Sequence, residues 1–294
     1  MSSLKQELAE KIKANRPKLG ASSLKTYVSI LFNIHKAMKS EDNKLDFFSD
    51  NVKEILEYLK SKNNQTLKTS LSALYVLTGK QEYRDVMMQV MKEVNATYQE
   101  QKKTKTQSDN WISEAEVKDV YFAQLDNALH MLSTKKVFNE NKYIEFLLVG
   151  FLSGAVMPPR RSMDYGEMKI RNYDPKTDNY YRAGKFYFNK YKTSSTYGLQ
   201  TLDVPKPLNL MIKRWLKLNQ TDYMLYSTNK QKLSSPQINR ILNTAFGGKK
   251  ISTNMLRHIY LSSVYAGIPA LSSIDRLATQ MGHSPTQAME YIKH

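Results

Sequence analysis

Two short stretches, far apart in the sequence, place arginines where an arginine is costly or crowded. Arg257 lies in Asn254-Met255-Leu256-Arg257-His258, inside an otherwise apolar helical pattern where a guanidinium needs a partner. Arg160 and Arg161 follow Pro158-Pro159 and precede Ser162-Met163-Asp164. The planar fork of a guanidinium grips an anion bidentately, so a pair of them suits a phosphate. Cleaving a phosphodiester without a metal takes fixed cations on the non-bridging oxygens, an attacking group, and an acid for the leaving oxygen. The end of the chain presents Gly282-His283-Ser284 and, eight residues after His283, Tyr291. No carboxylate or histidine group sits at metal-ligand spacing, so the expected chemistry is metal-free.

Charge points to the same kind of partner. Lys+Arg 44 against Asp+Glu 27 gives a net charge of +17, spread along 294 residues rather than packed into a tail. Such an excess attracts polyanions and makes their binding sensitive to salt. The chain has no cysteine, which excludes a disulfide framework and thiolate metal sites and fits a reducing compartment. No apolar run approaches the roughly 20 residues of a membrane helix, and the N-terminus lacks a signal-peptide core. The expectation is a soluble intracellular protein without membrane attachment.

The elements that must position these residues fall into two parts. Residues 1–104 read as an all-helical domain of five helices. Apolar residues three and four apart mark runs at Leu4–Ile12, Leu24–His35, Val52–Leu59, Leu67–Leu77 and Val86–Tyr98. Asp50 is the expected N-cap of the third run, and Gly79 the stop of the fourth. Gln99 to Asn110 has no apolar residue; residues 105–110 read as a basic linker, with Lys102, Lys103 and Lys105 as DNA-binding candidates.

Residues 111–294 read as a mixed domain. Ser113 and Glu116 form a capping-box pattern ahead of a helix running towards His130. Tyr143 to Gly154 is an apolar helix, buried on most sides. Residues 166–204 change period from 3.6 to two: Met168 and Ile170, a turn at Asp174-Pro175, Phe186 and Phe188, then Leu202 and Val204. Helices are expected again from Pro207, Ser235, Thr253 and Ser272, and a last short one bearing Tyr291. The fold class is mainly α with a small antiparallel β-sheet.

The ordered boxes around Arg161, Arg257, His283 and Tyr291 resemble the active-site signature of the tyrosine recombinases, the phage-integrase type of DNA strand-transfer enzyme. That resemblance implies a helical DNA-binding domain and a catalytic domain closing on double-stranded DNA as a C-shaped clamp. Tyr291 would attack the scissile phosphate, giving a 3′-phosphotyrosyl link and a free 5′ hydroxyl. A tyrosine is a weak nucleophile at its free pKa of about 10, and neighbouring arginines favour its phenolate. Arg161 and Arg257 would clamp the phosphate, with Arg160 the rival one residue out of register. His283 would hydrogen-bond the same phosphate. Lys192, or Lys190 on the same face, would protonate the leaving oxygen from a β-hairpin. Asp164 would hold the Arg161 guanidinium. Energy kept in the covalent link removes any need for ATP, metal or another cofactor. The resemblance also implies a homotetramer on DNA exchanging strands through a Holliday junction.

Two features depart from the family pattern. Asn254 stands where the family has histidine or lysine; it can donate a hydrogen bond to phosphate but cannot shuttle a proton near neutral pH. His258, about 100° round the helix from Arg257, reads as a buttress. The spacing from His283 to Tyr291 is one residue shorter than in many bacterial members, and three residues follow Tyr291 where the family has a further helix. The Pro-Pro-Arg-Arg box and that short spacing look more like recombinases of eukaryotic viruses and mobile elements, which would place the protein in the nucleus or cytoplasm of a host cell. A type IB topoisomerase-like enzyme, a junction resolvase and a catalytically inactive DNA-binding module of the same fold are the alternatives.

Overall fold

The computed structural model describes residues 3–38, 45–134, 138–281 and 284. The chain divides into two compact units, Met1–Lys102 with Pro269–His294, and Lys103–Ile268.

The first unit is helical throughout its described residues: α1 (Leu4–Asn15), α2 (Ala21–Ala37), α3 (Phe47–Asp50), α4 (Val52–Leu59), α5 (Asn64–Thr78) and α6 (Gln81–Gln99). Leu8, Ile12, Leu31, Ile55, Leu71 and Leu74 form its core, as their spacing predicts. Gly79 ends α5 at φ 69, a left-handed stop that glycine adopts without a Cβ clash. The short α3 is absent from the sequence reading, and it changes the role of Asp50. That residue closes α3 instead of capping α4; Asn51 lies at the junction, its amide donating to the Phe47 carbonyl at 3.0 Å. The extra turn is pinned by the buried Tyr83 hydroxyl, which donates to the Phe48 carbonyl at 2.8 Å.

The second unit opens with α7 (Lys105–Asn110) and α8 (Glu114–Ser133). Both carry capping boxes, Thr104 with Gln107 and Ser113 with Glu116. The polar stretch read as a linker therefore contains a helical turn and a half, stabilised at its N-terminus by its own side chains. After it come α9 (Glu140–Leu152), buried at every residue from Tyr143 onward, and the five-residue α10 (Ser162–Gly166). The sheet follows as β1 (Tyr180–Arg182), β2 (Lys185–Phe188), then the turn α11 (Ser194–Tyr197), then β3 (Gln200–Asp203). All pairings are antiparallel in the order β1-β2-β3, with Tyr180 opposite Tyr187 and Phe186 opposite Leu202. Phe186 and Phe188 face the core; on the other face the Tyr180 ring stacks on Tyr187 at 4.5 Å and on Tyr173 at 4.3 Å between ring centres.

Met168 and Ile170, expected in the sheet, flank a single residue, Lys169, that makes isolated bridges to Tyr180 and Tyr223. The chain then turns at Asn172, which has φ 48, so no strand develops. The remaining helices are α12 (Lys206–Leu218), α13 (Ser235–Ala245) and α14 (Thr253–Val264). Trp215 of α12 is fully buried, stacks on Tyr143 of α9 at 5.4 Å and donates to the Met224 carbonyl at 2.8 Å. In the first unit, α15 (Leu271–Gln280) begins where the Leu271 amide donates to the Gln101 side chain at 2.9 Å. Among the described residues, no helix is long and apolar enough to cross a membrane.

Candidate phosphate-binding site

The segment between α9 and α10 is irregular for a local reason. Two consecutive prolines remove backbone donors and push preceding residues out of the helical region. The segment is nevertheless fixed against α14. Gly154 has φ +87, and a Cβ built there would meet Cδ2 of Tyr260 at 2.7 Å. The backbone at 154 thus lies directly on the Tyr260 ring, one turn of α14 beyond Arg257. At the other end of the segment Arg161 is the extended N-cap residue of α10.

Helix α13 backs both α10 and α14. The Ser162 and Ser235 hydroxyls are 2.8 Å apart, the Leu233 amide donates to the Gly166 carbonyl at 3.1 Å, and the Thr253 amide donates to the Asn239 side chain at 3.2 Å. Helix α13 and the residue pair before it therefore contact both arginine-bearing helices.

The consequence is electrostatic. Arg257 is half-buried, and its guanidinium is held below the usual arginine range first by burial and next by the positive charge of Arg161. Arg160 adds to that effect and Asp164 opposes it. Among the described residues neither Arg161 nor Arg257 has an ion pair or a side-chain hydrogen bond. Two like charges brought together without a counter-charge repel, and an anion between them reverses the sign of the interaction.

The Asp164 carboxylate pairs with Arg160 rather than with the Arg161 guanidinium expected from the sequence, and Arg161 acts on it through its charge and a backbone hydrogen bond. Asp164, 3% exposed as a residue, takes Arg160 Nε at 2.9 Å. Arg160 also donates from Nη1 to Gln200 of β3 at 2.9 Å, and its guanidinium lies 4.0 Å from the centre of the Phe188 ring. A flat guanidinium can stack on a ring and donate in two directions at once, and the position before Arg161 is the one facing Phe188 and Gln200. Arg161 contributes its carbonyl, which accepts from the Asp164 amide at 3.0 Å. Burial pushes the Asp164 carboxyl above the ordinary range, and the Arg160 charge and hydrogen bond work against that.

The connection from β2 to β3 carries both candidate lysines. Lys190 is salt-bridged to Glu167 at 2.8 Å, a carboxylate shared with Lys232 at 2.8 Å. Hydrogen bonds from those two lysines hold Glu167 below the usual carboxylate range. Lys192 is exposed and has no side-chain partner among the described residues. Asn179 is a residue that sequence reading missed. Buried just before β1, it donates to the Asp164 carbonyl at 3.0 Å and the Lys190 carbonyl at 2.8 Å, and accepts from the Lys190 amide at 2.8 Å. It ties the lysine-bearing connection to α10. Gln200 does the same through Arg160. Neither carries a sequence signal, since each is a lone amide with no partner at fixed spacing.

On α14 the amide nitrogen of Asn254 is 3.4 Å from Nε2 of His258, and both residues are exposed. His258 is therefore not packed as a buttress; it pairs one turn back along the helix. His283 and Tyr291 lie outside the described residues. Lys102 pairs with Glu100 at 2.6 Å, Lys103 sits 4.0 Å above the Trp111 ring, and Lys105 is exposed on α7. Among the described residues, no group of three or more His, Asp or Glu is arranged to hold a metal ion.

No family model matches the sequence, and no curated protein matches it. Solved structures do resemble the fold at low identity. XerA recombinase is 15% identical over 98% of this chain and 94% of that one, with a TM-score of 0.36. A dimer of lambda integrase residues 75–356 bound to a COC′ core site is 17% identical over 98% and 93%, with a TM-score of 0.48. XerH site-specific recombinase bound to its difH substrate in a pre-cleavage complex is 14% identical over 99% and 92%, with a TM-score of 0.40.

Proposed function

We propose that this chain is a DNA strand transferase of the tyrosine-recombinase type. The observation that carries the reading is that Arg161 and Arg257, both without an ion pair among the described residues, stand on helices that each contact α13, with the Arg161 charge acting on the Arg257 guanidinium. A phosphodiester is the anion that the net charge of +17 and the order of the sequence boxes favour. In this reading residues 1–104 grip the duplex and residues 111–294 carry the chemistry.

The step balances without an external energy source. The Tyr291 phenolate forms a bond to phosphorus while the bond to the 5′ oxygen breaks. Arg161, Arg257 and His283 take the charge growing on the non-bridging oxygens, and the 5′ oxygen receives a proton from a lysine. The salt bridge of Lys190 to Glu167 supports Lys192 as that acid, because the Lys192 ammonium is uncommitted among the described residues. The product is a 3′-phosphotyrosyl link, and the reverse step on a second strand completes an exchange through a four-way junction within a tetramer. A virus or mobile element that integrates its genome is the setting in which we place the enzyme, in the nucleus or cytoplasm of its host.

One observation favours a second reading. Asn254 cannot exchange a proton, as expected of a catalytically inactive DNA-binding module. Incubation with a library of nicked random-sequence duplexes separates the two. The first reading predicts a denaturant-resistant protein–DNA adduct that maps to Tyr291 and disappears in Tyr291→Phe and Arg257→Gln. Salt-sensitive binding with no adduct from any library member supports the inactive module.

A further inference from the structure

The connection between β2 and β3 is held at each of the three residues before Lys192. The Asn189 amide group donates to the Asp178 carbonyl at 2.7 Å and to the Pro175 carbonyl at 3.0 Å. The Lys190 backbone gives both of its polar groups to the Asn179 side chain: its N–H donates to Oδ1 and its carbonyl accepts from Nδ2, each at 2.8 Å. The Tyr191 hydroxyl donates to the Gly198 carbonyl at 2.8 Å, and the Arg160 guanidinium lies 5.2 Å from the centre of the Tyr191 ring. Lys192 itself is exposed, and its ammonium has no partner among the described residues. A side chain without contacts of its own is aimed by the backbone that carries it.

Asn179 joins that backbone to the helix that Arg161 opens. Its Nδ2 also donates to the Asp164 carbonyl of α10, at 3.0 Å. The side chain is 3% exposed. All three partners are backbone groups, whose donor and acceptor roles are fixed, so the amide stands one way round. One side chain thus bridges residues 164 and 190 with both of its donors and its acceptor. The neighbouring Glu167 does not duplicate the bridge. It takes the Lys190 ammonium, the end of a flexible side chain that is 70% exposed, and leaves the Lys190 backbone untouched.

We propose that Asn179 is a positioning residue for the leaving-group acid, setting where Lys192 stands relative to a phosphate held at Arg161. The proposal rests on the strand-transfer reading above and deepens it: the step needs a lysine and also a fixed backbone beneath it. As the Tyr291 oxygen bonds to phosphorus, the bond from phosphorus to the 5′ oxygen breaks. The Lys192 ammonium passes its proton to that oxygen and is left as a neutral amine. General-acid help of this kind contributes about 10²- to 10⁴-fold, and a misplacement of about 1 Å costs up to about 10²-fold.

Sulfur in place of the leaving 5′ oxygen isolates this role, because a thiol ionises near pH 8.5, far below an alcohol, and leaves without a proton. The nicked duplex library is made with either atom, and initial rates of adduct formation are measured with the full-length chain. Asn179→Ala is expected to be about ten- to a hundredfold slower than wild type on oxygen and within about threefold of it on sulfur. Lys192→Met should show the same rescue by sulfur. Equal slowing on both atoms, or no slowing on oxygen, overturns the inference and leaves the enzyme reading standing. Tryptophan fluorescence in urea checks that each variant folds. If Asn179→Ala does not, Asn179→Asp takes its place; it keeps the size and the acceptor for the Lys190 N–H but sets an oxygen against the two carbonyls, and the same pattern is expected. Failure of both variants to fold overturns a role specific to the acid. A wild-type chain that forms no adduct with either atom overturns the strand-transfer reading itself.

Discussion

The contact between Gly154 and Tyr260 is the most exacting feature of the site, and Gly154→Ala tests it. An L-residue at φ +87 carries backbone strain of about 1–2 kcal/mol. The new Cβ would lie 2.7 Å from Cδ2 of Tyr260. Carbon atoms prefer about 3.5–4.0 Å, so the ring or the segment must give by roughly 1 Å. Overpacking of that kind costs about 1–3 kcal/mol, which with the strain makes about 2–5 kcal/mol in total. The two components separate in a double-mutant cycle. In a Tyr260→Ala background the ring contacts at 2.7 and 3.1 Å are gone and the 3.2 Å contact with the Cβ of residue 260 stays, so most of the steric part is lost and the penalty of Gly154→Ala should fall towards the backbone strain of about 1–2 kcal/mol. Both tryptophans, Trp111 and Trp215, belong to the Lys103–Ile268 unit, so urea unfolding followed by their fluorescence reports on the unit that contains the contact. A Gly154→Ala penalty that is the same in both backgrounds, or below about 0.5 kcal/mol in the first, would show that the ring does not brace this segment.

Arg160→Met should leave Asp164 as a buried carboxylate without its cation and cost about 3–5 kcal/mol; adding Asp164→Asn should recover a large part of that in the same fluorescence assay. Glu167 is held below the usual carboxylate range, so its contribution to stability is present above the unfolded value near pH 4.5 and is lost as pH falls through the lower folded value. Glu167→Gln should accordingly lower stability at pH 6 and flatten the loss between pH 4.5 and 3, read from urea midpoints across that range. Lys192→Met should abolish adduct formation on nicked duplexes, whereas Lys190→Met should reduce it by no more than a few-fold; a reversed order would move the acid role to Lys190.

Much of the fold was legible in the sequence, because amphipathic spacing and capping signals are local. The capping box at Ser113 and Glu116, the stop at Gly79 and the start of α14 at Thr253 were all readable this way. The failures have one cause, which is that partner choice is not local. Spacing puts Arg161 in register with Asp164 and Arg160 one residue out, and only the positions of Phe188 and Gln200 show which one takes the carboxylate. The same applies to Lys190, committed by a carboxylate and a second lysine that arrive from other segments. His258 was read by its angle from Arg257, whereas its nearest partner lies one turn back at Asn254. The cap at Asp50 was displaced by an added turn whose anchor, Tyr83, is remote in sequence. Nor did charge foretell the local contacts of Lys102 with Glu100 and of Lys103 with the Trp111 ring.

The central claim is that Arg161 and Arg257 hold one anion together, and a double-mutant cycle on anion binding tests it most directly. Dimethyl phosphate affinity, followed in wild type, Arg161→Gln, Arg257→Gln and the double variant by saturation of the probe's own ³¹P signal, gives the coupling. If one phosphate spans both guanidiniums, either substitution alone removes most of the binding, and the second adds little, leaving a coupling of about 1 kcal/mol or more. Additive losses, each independent of the other substitution, would mean that the two arginines serve separate sites.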